Sequence, residues 1–238
     1  MSYREYTAIS NDDAEARHLV DEIADLSIDV SRYREVMVAM GRKLAAQMIK
    51  SFPADDTNDI CVVCTVEDAD YLAKGVVDVL NDAGMESRVK LLCLWNEKVR
   101  EEGVSLSPVM KQYKEHATTK KVDYVIVKSI ISGACVVKTN LTRALSSKNF
   151  SSIFVASPVM RAGAEGRLEQ EFPLEIARHF TYFSLAVDSG GSGENVEPGI
   201  GGSVYERLGL GDEKTKNKIV PSIVKARRER FRRVPVSA

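Results

Sequence analysis

The sequence predicts an α/β fold, a mostly parallel sheet flanked by helices, organised as one domain with an N-terminal helical extension. Three observations point there. Short apolar runs at residues 60–65, 89–95 and 122–127 lack polar alternation, the pattern of strands buried on both faces. Amphipathic stretches separate such runs, so the chain reads strand, helix, strand, the shape of a βαβ unit. A length of 238 residues, 44% hydrophobic and 28% charged, suits one large globular domain rather than disorder or low complexity.

Taken in order, residues 28–52 carry Val36, Met37, Met40, Leu44, Met48 and Ile49 at three- and four-residue steps, which predicts an amphipathic helix. Its Met37, Met40, Leu44, Met48 stripe suits packing on a partner subunit. Pro53 and the polar residues 55–58 stop it. After the strand at 60–65, Tyr71, Leu72, Val76, Val77 and Leu80 predict a second helix, closed at 81–84. Residues 103–121 are polar and read as a loop with a short helix. A helix over 135–145, a strand over 152–156, a helix over 168–179 broken by Pro173, and a strand over 182–187 follow. Residues 188–202 form a long Gly-rich loop.

Composition narrows the function. The net charge is −1, and the apolar runs are strand-sized, far from the roughly 18 residues of a membrane span. The N-terminus carries Asp12, Asp13 and Glu15 and no secretory pattern, so a cytoplasmic protein is expected. Cys61 and Cys64 sit three apart in a strand, which points their thiols to opposite faces. With Cys93 and Cys135 they read as free thiols of a reducing compartment. His18, His116 and His179 are scattered and beside no nucleophile; Trp95 reads as core. Bases crowd the C-terminus: Lys214, Lys216, Lys218, Lys225, Arg227, Arg228, Arg230, Arg232 and Arg233. Two readings are open for them, a helical end that docks through Ile219, Val220, Ile223 and Val224, or a surface for an acidic or nucleic-acid partner.

Ligands of an open parallel sheet bind at the carboxyl ends of its strands. That singles out residues 66–70, 96–108, 128–135 and 188–202. The third runs Lys128-Ser129-Ile-Ile-Ser132-Gly133-Ala134-Cys135 from a strand into a helix. Backbone amides at such a turn, with the helix N-terminus behind them, suit a phosphate. The same turn also serves as a plain cap and packing device.

The order of these segments resembles the uracil phosphoribosyltransferases, of the type I phosphoribosyltransferase fold. Val30-Ser-Arg-Tyr-Arg-Glu with Gly41-Arg-Lys-Leu-Ala is similar to the family's N-terminal arm helix. Arg100-Glu-Glu-Gly-Val-Ser-Leu-Ser-Pro108 is similar, with one extra residue, to a family loop. Residues 128–135 stand where the phosphoribosyl-diphosphate (PRPP) loop belongs. Phe154-Val-Ala-Ser-Pro, Phe172-Pro, Tyr182 and Ala186-Val-Asp188 follow, ending in Glu197-Pro-Gly199-Ile200-Gly201-Gly202, which is similar to the hood-type uracil loop. The resemblance implies transfer of ribose 5-phosphate from PRPP to uracil, with Mg²⁺ on the pyrophosphate if the chain is active, and a homodimer. It implies an extension over residues 1–27, the domain over 28–211 and a basic tail over 212–238. It places the 5′-phosphate and PRPP on Arg100, Lys128, Ser129, Ser132, Gly133, Ala134 and Cys135. The base falls to Glu197, Gly199, Ile200, Gly201 and Gly202.

The departures fall on the chemistry. Where the family holds pyrophosphate with an Arg-Ala-Gly turn, this chain has Glu67 and Asp68, with Asp70 beyond. A carboxylate facing an anion costs on the order of 1 kcal/mol or more per close pair. Val127 stands where an acid should meet the ribose hydroxyls, and Gly202 replaces a further acid. The expectation is therefore a pseudoenzyme, a nucleotide- or phosphosugar-binding or regulatory subunit with weak or lost uracil transfer. The alternative is an active phosphoribosyltransferase acting on uracil or another base in pyrimidine salvage.

Overall fold

The computed structural model describes residues 3–53, 56–97, 99–101, 104–145, 149–192 and 195–232. Arg233, the last of the basic residues singled out above, lies outside them, as does the side chain of Arg100. The strands are β1 (Arg4–Tyr6), β2 (Asp59–Thr65), β3 (Val89–Asn96), β4 (Val99–Glu101), β5 (Val104–Leu106), β6 (Val109–Lys114), β7 (Lys121–Val127), β8 (Ile130–Ile131), β9 (Asn149–Ala156), β10 (Val159–Arg161), β11 (Phe180–Phe183) and β12 (Ala186–Asp188). The helices are α1 (Ala8–Asn11), α2 (Ala14–Ala24), α3 (Val30–Met48), α4 (Val66–Ala69), α5 (Leu72–Asp82), α6 (Cys135–Leu145), α7 (Ala164–Glu169), α8 (Leu174–Ala177), α9 (Val204–Arg207), α10 (Glu213–Lys216) and α11 (Ser222–Arg232).

The main sheet has the order β11-β9-β7-β2-β3-β6, parallel except for the edge strand β6. A smaller sheet, β1-β12-β10-β8, collects segments that follow the main strands, with β1 antiparallel at its edge. Helices cover both faces of the main sheet, as the α/β pattern requires. One face packs Val62, Cys64, Leu91 and Cys93 under α3 and α5; the other packs Cys61, Val63, Leu92 and Val155 under α6 and α7. Cys61 and Cys64 thus lie on opposite faces. Burial pushes the Cys61 thiol up to about 12, which keeps it protonated and inert.

Helix α3 starts where the Asp29 carboxylate accepts the Arg32 amide. It crosses α5 at Gly41 and Gly75, where a Cβ at either would stand 2.2 Å from a carbonyl oxygen of the facing helix. Only glycine permits that approach. Tyr33, Val36, Met37, Met40, Leu44 and Met48 are all 0% exposed within the single chain. This corrects the expectation that the methionine stripe packs on a partner: α2, α5 and the sheet already cover it.

Three further sequence expectations are corrected. Within the stretch expected to be a loop with a short helix, the described residues 104–121 hold strands rather than a helix, because an edge strand such as β6 has a solvated border and tolerates polar residues. The strand expected over 182–187 is two strands, β11 and β12, since the chain leaves the main sheet at Ser184 and joins the smaller one. The broken helix expected over 168–179 is α7, which begins earlier at Ala164, and the single turn α8. No helix among the described residues is long and apolar enough to cross a membrane.

At the amino end of the main sheet Asp123 on β7 is 2% exposed. Burial, together with the Asp56 carboxylate beside it, pushes its carboxyl up to about 7. The folded chain therefore holds a proton there that the unfolded chain releases near pH 4. This group's stabilisation is complete below that pH and is lost as pH rises through about 7. Asp123→Asn should raise the melting temperature more at pH 8 than at pH 5, a comparison that thermal denaturation at the two pH values makes directly.

Candidate functional site

The carboxyl ends of β2 and β7 meet a segment from the far end of the chain. The residues after β2 form one helical turn, α4, rather than an open loop, and its first turn carries Glu67 and Asp68. Both are buried, at 2% and 0% exposure. Lys128, just past β7, places its Nζ 2.9 Å from Asp68 Oδ2 and 3.2 Å from Glu67 Oε1. Thr65 Oγ1 and the Ser129 amide donate to Asp68 at 2.8 and 3.2 Å. Lys216 on α10, 2% exposed, completes the cluster: its Nζ lies 3.4 Å from Glu67 Oε2 and donates to the Tyr205 hydroxyl at 3.1 Å. It also sits 4.2 Å above the Tyr205 ring, a cation–π contact.

The charges decide one another. Burial alone would push the Glu67 carboxyl up, but the Lys128 and Lys216 ammonium groups outweigh it and hold the group down at about 2. Burial and the neighbouring Glu67 charge raise Asp68. Burial disfavours a charged Lys128, yet Asp68 and Glu67 more than offset it and its ammonium is held well above the usual range. Two carboxylates and two ammonium groups thus neutralise one another out of water.

The turn expected to suit a phosphate lies open by contrast. Gly133 is exposed, and a Cβ built on it meets nothing within 4 Å. The amides of Gly133 and Ala134 find no backbone or side-chain acceptor among the described residues. Ser132, Ala134 and Cys135 are part-exposed; the Ser132 carbonyl accepts from Arg167 at 3.3 Å, and Cys135 Sγ lies 3.6 Å from Ser107 Oγ. The structure therefore divides the residues assigned together above. Ser132 to Cys135 line the turn, whereas Lys128 and Ser129 belong to the buried ion cluster.

In the Gly-rich loop the backbone is turned inward. The Gly199 amide donates to Asp188 at 2.7 Å, its carbonyl accepts from Arg4 at 2.6 Å, and the Ile200 carbonyl accepts from the Tyr33 hydroxyl at 3.0 Å. Arg4 is itself 8% exposed and bidentate on Asp188, with a further bond to the Val20 carbonyl. Gly201 lies against the Ile23 carbonyl, and Glu197 and Gly202 are exposed.

The C-terminal segment docks on the body. The Asp70 carboxylate accepts the Ser222 and Ile223 amides at 2.7 and 2.8 Å, capping α11. Trp95 Nε1 donates to the Ile219 carbonyl at 2.9 Å, and Arg227, 9% exposed, pairs with buried Glu115 at 2.7 Å. Lys216, Tyr205, Arg4 and Tyr33 were not legible as site residues. Nothing local to a basic tail or to a short N-terminal strand distinguishes a buried cation from a solvated one.

No protein-family model matches the chain, and no curated protein matches it. Among solved structures, the AQ2163 protein from Aquifex aeolicus superposes with a TM-score of 0.63 at 15% identity, covering 82% of this chain and 94% of that one. The two chains share a fold. The hypoxanthine phosphoribosyltransferase of Trypanosoma cruzi, in complex with IMP, gives a TM-score of 0.40 at 11% identity, covering 64% of this chain and 76% of that one. A Neisseria gonorrhoeae protein with bound ppGpp gives 0.39 at 14%, covering 63% and 77%.

Because the ion cluster is balanced, removing one member leaves a buried charge unpaired. Lys128→Met should cost about 3–5 kcal/mol of unfolding free energy. Adding Asp68→Asn removes the carboxylate left without its cation, keeps the Glu67–Lys216 pair and should recover part of that loss, a non-additivity that urea unfolding of the single and double variants measures.

Proposed function

We propose that this chain is a divergent phosphoribosyltransferase-type protein that binds the phosphate end of a nucleotide or phosphosugar, with weak or lost uracil transfer. The observation that carries the reading is the buried cluster of Glu67, Asp68, Lys128 and Lys216. A leaving pyrophosphate needs cations or amides free to meet it. Here the cations beside Glu67 are already committed to carboxylates of the same chain. Transfer also needs an acid near the ribose hydroxyls as the oxocarbenium charge develops, and Val127, 1% exposed, cannot supply one. Each such group typically contributes a few kcal/mol at a transition state.

The open amides of Gly133 and Ala134 at the start of α6 support the other half of the reading. Unpaired amides at a helix N-terminus favour an anion through hydrogen bonds and the helix dipole. Uracil preference rests on the motif order from Phe154 to Gly202. The Gly199 and Ile200 carbonyls there already accept from Arg4 and Tyr33, which leaves less of the loop for a base. A resident Mg²⁺ does not fit the carboxylates of Glu67 and Asp68, since Lys128 and Lys216 occupy them. A homodimer and an acidic or nucleic-acid partner for the tail belong to this proposal only through the resemblance and the charge of the segment.

Titration calorimetry with ribose 5-phosphate and UMP checks the reading. Both should bind, and Gly133→Asp, which places a carboxylate in open space at the turn, should weaken them by about tenfold or more. No binding of either, or UMP formation from PRPP and uracil at the rate of an ordinary transferase, would overturn it.

A further inference from the structure

The two edges of the main sheet are finished differently. The β6 edge carries Lys111 and Lys114, charged side chains of the kind that keep an edge from pairing. At the other edge β11, Phe180-Thr181-Tyr182-Phe183, carries no charge, and it pairs with β9 on one side only. The Ile153 amide donates to the His179 carbonyl and the Ser157 amide to the Phe183 carbonyl. By the alternation of a strand, Thr181 then also turns its backbone to β9, while the amides and carbonyls of Phe180 and Tyr182 point away from the sheet. Among the described residues nothing is bonded to those four groups.

The side chains along this edge are apolar. Phe180 and Tyr182 share a face of the sheet with their ring centroids 6.1 Å apart, and Phe172 stands edge-on to Phe180 at 5.4 Å. All three are part-exposed, and Leu174, on the turn that leads into β11, is 77% exposed. Thr181 is exposed on the opposite face.

We propose that β11 pairs antiparallel with β11 of a second copy about a two-fold axis through Thr181, so that one sheet runs through both chains. The register follows from the outward groups. With the axis at Thr181, Phe180 of each copy stands opposite Tyr182 of the other, and each such pair exchanges two hydrogen bonds. All four outward groups of each strand are then satisfied, whereas an axis at Phe180 or Tyr182 satisfies half of them. The same register sets aromatic rings opposite aromatic rings, a stabilising cross-strand pair. It also turns Arg178, two residues before Phe180, toward the Tyr182 end of the other copy, where Glu169 interacts with the Tyr182 hydroxyl. The inference deepens the homodimer named above, which there rests on resemblance alone, and takes nothing from the phosphate reading.

Equilibrium sedimentation of the full chain should give the mass of two chains at tens of micromolar. Because the Thr181 side chain is exposed and its backbone is held by β9, changing that side chain leaves the strand in place. Thr181→Lys sets two cations opposite each other at the axis and should weaken the dimer about tenfold or more, with the far-ultraviolet circular dichroism unchanged. Thr181→Cys sets two thiols across a non-hydrogen-bonded antiparallel pair, whose Cα separation of about 4.5 Å suits a disulfide. With diamide as oxidant that variant should cross-link into dimers, while the wild-type chain and Thr142→Cys, exposed on α6, should not. A dimer that Thr181→Lys leaves intact and Thr181→Cys does not cross-link would overturn the β11 pairing and leave the homodimer on another surface. The mass of one chain at every concentration would overturn both.

Discussion

Two carboxylates and two ammonium groups, removed together from water at the carboxyl ends of the parallel strands, constrain everything around them. An isolated buried charge is far too costly to keep, so Glu67 and Asp68 can be buried only if cations come with them. Lys128 comes from the end of β7, and Lys216 comes from α10. The cluster therefore ties the first βα connection, the centre of the sheet and the C-terminal segment to one point. Once Lys216 is placed, residues 217–223 can only run past Asn96, Trp95 and Asp70, and their bonds to those residues follow.

A second buried pair does for the smaller sheet what the cluster does for the larger. Arg4 and Asp188 are register partners on β1 and β12, and their side chains meet the amide and carbonyl of Gly199. The N-terminal strand is in this way built into the Gly-rich loop, and Tyr33 from α3 fixes the next carbonyl. What the two pairs leave unfilled is the turn at Gly133 and Ala134. The site is thus asymmetric, with internal partners on two sides and free amides on the third, and the proposed binding of a phosphate end follows from that asymmetry.

Much of this was legible before the structure. The parallel sheet follows from uninterrupted apolar runs, and α3, α5 and α6 follow from the spacing of their apolar residues. The facing of Cys61 and Cys64 follows from the two-residue repeat of a strand. The resemblance marked Glu67 and Asp68 as the point where chemistry departs. The misses share a cause. Strand β6 is polar because it is an edge, and β11 and β12 read as one strand because both are apolar, although they lie in different sheets. The methionine stripe of α3 looked available to a partner because periodicity shows which face is apolar and not what covers it.

By itself the sequence determined the class of fold and the order of β2, β3, β7 and β9 with the helices α3, α5 and α6 around them. These depend on patterns within some ten to twenty residues, where periodicity and capping act. Only the tertiary structure decided which charges are free. Lys216 and Glu67 are 149 positions apart, and Arg4 and Asp188 are 184 apart. No local pattern separates a lysine destined for a buried carboxylate from its solvated neighbours in the same basic run. The pairing of buried charges is a property of the folded topology, and here it is that pairing which separates a filled site from an open one.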